Sequence, residues 1–485
     1  MAERRTLLRR ELIAPLAVFL IALLSLCALA GSKRLLEPSK NNHYAHLAQG
    51  WLEGRLHHEG KPPGYCTAKL RRAKKCRGHS YDDWARVWTL ELRDGEVVRG
   101  YPCMTEDCQA LRREGVEAWL VLGVDRQLRE IRSRDIAKRT DTWYVSFPPG
   151  PALVMLPAVV ARGTQARDVL WTCMIAALIP VILLQLFDRE RGTADGRGRE
   201  HLWAVAAWTF ASPALFVGAH GSVWFTAQIC GALFTCVYIS AAWNCRKPAL
   251  AGLGLALAVT CRPHLAVALI FFATQWWRAT EDRVASALRF CAPLVLVGLA
   301  VMAHNYARFD DPLEFGHRFL DIRWQKRMQE VGMFSTDYLG RNLRCALSLM
   351  PVWREGPWDG RLPRVSLHGS SVVLGAPWLV ALGLGRDPCP QRWGLLLTAL
   401  AVAVPSLLYQ NSGQIQFSYR FAVDWLPFVL TAIVFGGGAK RPWFPILVVL
   451  GACWEIYGAY LFGRRPGQLF VTDPLGWPFE DEIGR

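Results

Sequence analysis

The run from Leu12 to Ala30 carries no charge, and Arg4, Arg5, Arg9 and Arg10 precede it. An uncharged apolar run of this length suits the hydrocarbon core of a bilayer. A secretory signal also has a basic start, and Ala28-Leu29-Ala30 has the form of a cleavage site. The apolar run is longer than a signal core and more apolar stretches follow, so it reads as an uncleaved first span. Those further stretches lie at 168–187, 202–218, 222–243, 249–260, 264–277, 288–303, 370–385, 393–409, 421–436 and 442–462. The fold class expected is an α-helical polytopic membrane protein with about eleven transmembrane helices. Composition agrees, since 52% of the residues are hydrophobic and Trp alone numbers 21.

Charge in the short connectors gives the expected orientation. Arg189, Arg191, Arg197 and Arg199 crowd one connector, and Arg246-Lys247, Arg278 with Arg283, Arg386 with Arg392, and Lys440-Arg441 fill others on the same side. The connector at His220-Gly221 has no Lys or Arg. The positive-inside rule puts the basic side and the N-terminus in the cytoplasm. An odd number of spans then puts 463–485 outside as a tail. The net charge of +16 is therefore partly topological. A nucleic-acid surface would gather its basic residues on one soluble face, and here they are scattered among short loops, so no nucleic-acid partner is expected.

The expected order is a first span at 1–31, an outer loop at 32–148, spans over 149–303, an outer loop at 304–369, spans over 370–462, and the tail. Only the first outer loop is long enough for a small soluble domain. Within it, Trp84 to Leu92 and Glu96 to Tyr101 read as strands joined at Asp94-Gly95, Ala118 to Val124 reads as another strand, and 126–138 reads as a helix. The loop is expected to hold a small α+β insertion. Cys66, Cys76, Cys103 and Cys108 fall in it, an even number that suggests two disulfides in an oxidising compartment. A zinc site is the alternative, but the spacings do not match Cys-x2-Cys knuckles. The pairing is not legible from sequence. The remaining cysteines fall mostly in spans and read as small buried hydrophobes.

Residues 41–56 read as an amphipathic helix beside the first span. Tyr44, Leu47, Ala48, Trp51, Leu52 and Leu56 form an apolar arc, with His43, His46, Gly50, Glu53 and His57 opposite, as in a helix lying in the membrane interface. The polar side is either solvated or turned to a reaction centre, where His and Glu suit general-base work or a divalent metal. Trp143 to Pro151 reads as a rigid corner before a short apolar helix at 152–160, because its prolines force extended backbone. Arg262, with Pro263 and His264, sits at the tip of a short hairpin, and Arg308 and Arg420 end other spans. Such arginines either snorkel to the interface or hold a lipid phosphate with their guanidinium forks.

The motifs run in a fixed order. His43-Tyr44-x-x-Leu47-Ala48 comes first, with Gly54-x-Leu56 behind it, and Phe147-Pro148-Pro149-Gly150-Pro151-Ala152-Leu153 follows. Cys261-Arg262-Pro263 comes next, then Asn305-Tyr306-x-Arg308-Phe309 with Glu314-Phe315-Gly316, and last Tyr419-Arg420-Phe421. Together they resemble the GT-C class of membrane glycosyltransferases, in particular bacterial relatives of the dolichyl-phosphate-mannose protein mannosyltransferases. The resemblance covers nearly the whole chain apart from the cysteine-bearing insertion.

The resemblance implies a bacterial inner-membrane enzyme. Its donor would be a polyprenyl-phosphate sugar and its acceptor a protein, lipid or glycan approaching from outside. It leaves room for a divalent cation and implies no other cofactor. It also implies a catalytic Asp or Glu one to three positions before His43, where Lys40, Asn41 and Asn42 stand. The second acidic position reads Ser146-Phe147. An amide takes no proton at neutral pH. Glu53 is then the first substitute, with His43, Asn42 and Asp141 in the expected catalytic group, and Glu37 and Asp310-Asp311 as further acids. Arg262, His264, His304, Asn305, Arg308, Tyr419 and Arg420 are the expected substrate-binding residues. The alternative is a non-catalytic protein of the same build that binds a lipid carrier or envelope component. A transporter would show more ionisable residues inside spans than Asp424 and Glu455.

Overall fold

The computed structural model describes residues 2–65, 83–192, 197–279, 282–320, 322, 324–355 and 361–471. The chain forms two compact units: one comprises 1–38, 167–295 and 336–485, the other 39–166 and 296–335. The expected outer loop 304–369 is thus shared, its first part belonging to the second unit and the rest to the first.

The first unit is helical, and the helix Arg283–Phe309 begins in it and ends in the second unit. Among the described residues, five helices are long and apolar enough to cross a membrane: Ile13–Ala30, Asp168–Arg191, Ser222–Cys245, Arg283–Phe309 and Phe444–Arg464. Gly198–Phe210 and Ala214–His220, bent by 54°, make a sixth if taken as one span. Pro248–Cys261, Arg392–Leu407 and Leu426–Phe435 are shorter apolar helices. The stretch at 264–277 becomes a 3-10 turn, Pro263–Ala268, followed by the helix Leu269–Arg278, and the one at 370–385 becomes Val372–Gly375 and Pro377–Leu384. Leu16, Leu20 and Leu24 on the first helix, and Leu288, Leu296 and Leu299 on Arg283–Phe309, are exposed. Exposed apolar surface of this extent belongs against lipid.

Small residues let the helices of this unit approach closely. A Cβ on Gly254 would come within 3.0 Å of the Tyr238 nitrogen, and one on Gly252 would overlap the Phe290 carbonyl. The last carbonyls of the first helix accept from the final long helix, with Arg464 donating to Leu29 at 2.5 Å and to Ala28 at 2.8 Å. The basic connectors are tied by ion pairs. Asp387 takes Lys440 at 2.7 Å and also Arg191, which reaches Glu200, while Glu190 takes Arg246 at 2.8 Å.

The second unit holds a five-stranded antiparallel sheet, ordered β4-β3-β2-β1-β5. β1 is Trp84–Leu92, β2 Val97–Pro102, β3 Ala118–Gly123, β4 Leu128–Arg132 and β5 Ile136–Val145. Period-two alternation sends Ala85 and Val87 to one face, where they pack with Tyr101, Tyr144, Phe309 and Phe319. Leu90, Val98, Val121 and Ile131 form a second small core. The helix expected at 126–138 is absent, and β4 and the start of β5 stand there instead. Leu128 and Ile131 have helical spacing, but Arg126 turns the chain at φ 66 and Ile131 pairs across the sheet with Trp119. Cys103 and Cys108 form a disulfide. The helix Glu106–Arg113 that carries Cys108 was not legible in the pattern. Cys66, Cys76 and 472–485 of the tail lie outside the described residues.

Candidate functional site

In the first unit four of the predicted binding residues come together. The Pro248–Cys261 helix stops at Arg262, whose extended backbone precedes the 3-10 turn bearing His264. Gly231 leaves room for the arginine stem, since a Cβ there would lie 2.9 Å from Arg262 Cγ. A second 3-10 turn, Arg420–Asp424, leads into the helix Leu426–Phe435 with Pro427 near its start. One turn of chain thus carries Arg420, Phe421 and Asp424.

Asp424 joins these turns. Its Oδ2 accepts from Arg262 Nη2 at 2.7 Å and lies 3.1 Å from His264 Nε2. The carboxylate is 1% exposed, and both its Oδ1 and the Nε of Arg262 are buried without a hydrogen-bond partner. Burying a charge is tolerated where it is paired, as here. The guanidinium carbons of Arg262 and Arg420 lie 5.6 and 5.0 Å from the Phe421 ring centre. Arg420 also donates through Nε to the Gly413 carbonyl at 3.0 Å and reaches Gln228 at 3.4 Å. Tyr419 is buried, with its ring edge-on to Phe421 and its hydroxyl 3.4 Å from Ser406. Two cations, a buried acid and an imidazole in one place can hold an oxyanion and move a proton.

Comparison of the chain with protein-family models, curated proteins and solved structures finds no match in any of the three. The reading of its sites therefore rests on this geometry.

The remaining predicted residues, apart from Glu37, lie in the second unit, and most are already engaged. The helix at the first motif is His43–Leu52, shorter than expected, with Glu53 as its cap residue. It is not a helix with one solvated face. His43, Tyr44, Ala45, Leu47 and Ala48 are all buried, whereas Leu52 is exposed. Two side chains that the sequence places on a polar arc, His43 and His46, instead pack against Trp84 of the sheet, while Glu53 and His57 stay exposed. His43 stacks on Trp84 at 4.9 Å, and His46 stacks on His58 at 5.1 Å. Burial holds the His43 imidazole down to about 4, aided by the neighbouring His46 and His58. Burial and the neighbouring His58 do the same for His46, also to about 4.

Asn42 donates its side-chain amide to the carbonyls of Ala166 at 2.9 Å and Thr164 at 3.2 Å. Glu53 pairs with Arg55 and accepts from Gln49 at 2.6 Å on an exposed edge. Asp141, on β5, lies between Arg86 at 2.5 Å and Arg139 at 2.9 Å. Burial pushes its pKa up, but these two guanidiniums outweigh it, and the net shift is downward. His304 accepts from Trp51 Nε1 at 3.2 Å. Arg308 is fully buried, donating to the Val145 carbonyl at 2.9 Å and to Asn305 at 2.8 Å. Asn305 in turn donates to Pro312 at 3.2 Å. Asp310 pairs with Arg99, and Asp311 with Arg318 at 3.0 Å. Among the described residues no three His, Cys, Asp or Glu side chains gather as a metal site. A groove of about 1060 Å³ on the sheet is lined by Trp88, Trp119, Glu130 and Arg132, and no predicted site residue borders it.

Sequence reasoning missed the partnership of Asp424. The available signal was an acid inside an apolar stretch, four residues after Arg420, since such a residue must find a partner.

Proposed function

We propose that this chain is a bacterial inner-membrane glycosyltransferase. It moves a sugar from a polyprenyl-phosphate donor to an acceptor on the non-cytoplasmic side. The supporting observation is that Asp424 pairs with Arg262 and His264 while the guanidiniums of Arg262 and Arg420 both lie over the Phe421 ring. Guanidinium groups match phosphate oxygens, and the buried Nε of Arg262 is a donor left over for one. In this reading the short apolar helices and their 3-10 segments also cross, giving about eleven crossings. The ion-paired basic connectors face the cytoplasm, and the Arg262 and Arg420 turns lie at the opposite level. The Cys103–Cys108 disulfide fits an insertion on the oxidising side.

A second reading has its own observation. Asn42 stands where the resemblance asks for an acid, and its amide is used up on two carbonyls. A protein of the same build that binds a lipid carrier without transfer would look the same there. One experiment separates the two. The purified full chain in lipid nanodiscs is given undecaprenyl-phosphate sugars labelled in the sugar. The transferase retains the lipid and releases label to acceptor or water. The carrier-binding protein retains the lipid and releases none. Retention of no labelled lipid would overturn both.

A further inference from the structure

We propose that His264 is the proton acceptor of the transfer and that Asp424 fixes the tautomer it needs. This rests on the transferase reading above. The carboxylate of Asp424 can only accept, so in a neutral His264 the proton sits on Nε2, 3.1 Å from Oδ2. The lone pair is then on Nδ1. Among the described residues Nδ1 has no hydrogen-bond partner, and the His264 side chain keeps 15% of its surface open. An imidazole oriented by a buried acid at one nitrogen and open at the other has the arrangement of a general base. The other groups expected to act as the base are less suited. Asn42 is an amide held by two carbonyls, Glu53 is paired with Arg55, and Asp141 lies between two arginines.

The step balances. The acceptor hydroxyl gives its proton to His264 Nδ1 as its oxygen forms a bond to the anomeric carbon of the donor sugar. The bond from that carbon to the phosphate oxygen breaks, and its electron pair leaves with the lipid phosphate. Arg262 and Arg420 meet the charge on the phosphate, and Asp424, still ionised, meets the charge on the imidazolium. A single displacement inverts the anomeric configuration. Asp424 is a positioning residue here: it serves the base and, through Arg262, the phosphate clamp.

The test uses the full chain in nanodiscs with a panel of labelled undecaprenyl-phosphate hexoses and pentoses, reading both retained lipid and released sugar. His264→Ala should lower release by about 10²-fold or more, far beyond any loss of donor retention. Added imidazole should restore part of the lost rate, which a purely structural role would not allow. His264→Gln keeps a side chain that can bond to Asp424 but offers no base, so it should fold and remain slow. Wild-type release in either folded variant would overturn the proposal, as would a slow His264→Ala protein that imidazole does not rescue. If the wild-type protein neither retains nor releases the label, the transferase reading itself fails, an outcome distinct from an active wild type with active His264 variants.

Discussion

The side-chain amide of Asn42 donates to the carbonyl of Ala166 at 2.9 Å. Thr164 takes the second proton at 3.2 Å, so Asn42 pins the segment after the Gly150–Arg162 helix. A carboxylate at this position would turn its oxygens on two carbonyl oxygens. Asn42→Asp should therefore lower stability by about 3 kcal/mol, the scale of a buried acceptor left facing a charge. Denaturant unfolding measures this. The variant should gain no transfer activity, although it restores the acid that the resemblance asks for.

Arg308 was expected to bind phosphate, yet its guanidinium is spent on the Val145 carbonyl and the Asn305 side chain. Arg308→Ala should destabilise the protein by about 3 kcal/mol, because it strands a buried carbonyl and amide oxygen. Donor retention per folded molecule should equal that of the wild type. A selective loss of retention at unchanged stability would return Arg308 to the binding site.

Glu53 makes its ion pair with Arg55 at 40% side-chain exposure. Surface pairs contribute little, so Glu53→Gln should change stability by less than about 1 kcal/mol. Sugar release should stay at the wild-type rate. A large loss of release would make Glu53 the base and displace His264 from that role.

Much of the architecture was legible because it follows from local pattern. Trp84 to Leu92 alternates and its partner returns after Asp94-Gly95, as a hairpin must. The break at Arg262-Pro263 follows from proline chemistry. Other features depend on partners distant in sequence. Hydropathy sees Asp424 as one charge in an apolar run and is blind to Arg262 and His264, about 160 residues away. His43 looked like a polar-face residue because a helical projection does not know that Trp84 covers it. The 126–138 stretch misled because its apolar spacing suited a helix, and only the pairing of β4 with β3 and of β5 with β1 made it strand.

The buried histidines predict a pH dependence. Folding lowers the His43 imidazole from 6.5 to about 4, so the unfolded chain takes up a proton first as pH falls. Above about pH 6.5 both states are neutral there and His43 adds no slope. Between 6.5 and 4 stability should fall by up to about 1.4 kcal/mol per pH unit, and His46 adds to the same window. Below about 4 this contribution levels off. His43→Phe keeps a ring against Trp84 and should flatten the acid limb of an unfolding series. An unchanged limb would show that His43 is not buried as described.

The central claim is that the Arg262, Arg420, His264 and Asp424 cluster serves a lipid-phosphate sugar. The most direct measurement is retention of labelled undecaprenyl-phosphate sugars by the purified protein in nanodiscs, with Arg262→Lys beside the wild type. Lysine keeps the charge for Asp424 but loses the fork that matches phosphate. The account predicts saturable retention by the wild type and at least about tenfold weaker retention by Arg262→Lys, with both proteins folded. Equal retention by the two, or none by the wild type, would contradict it.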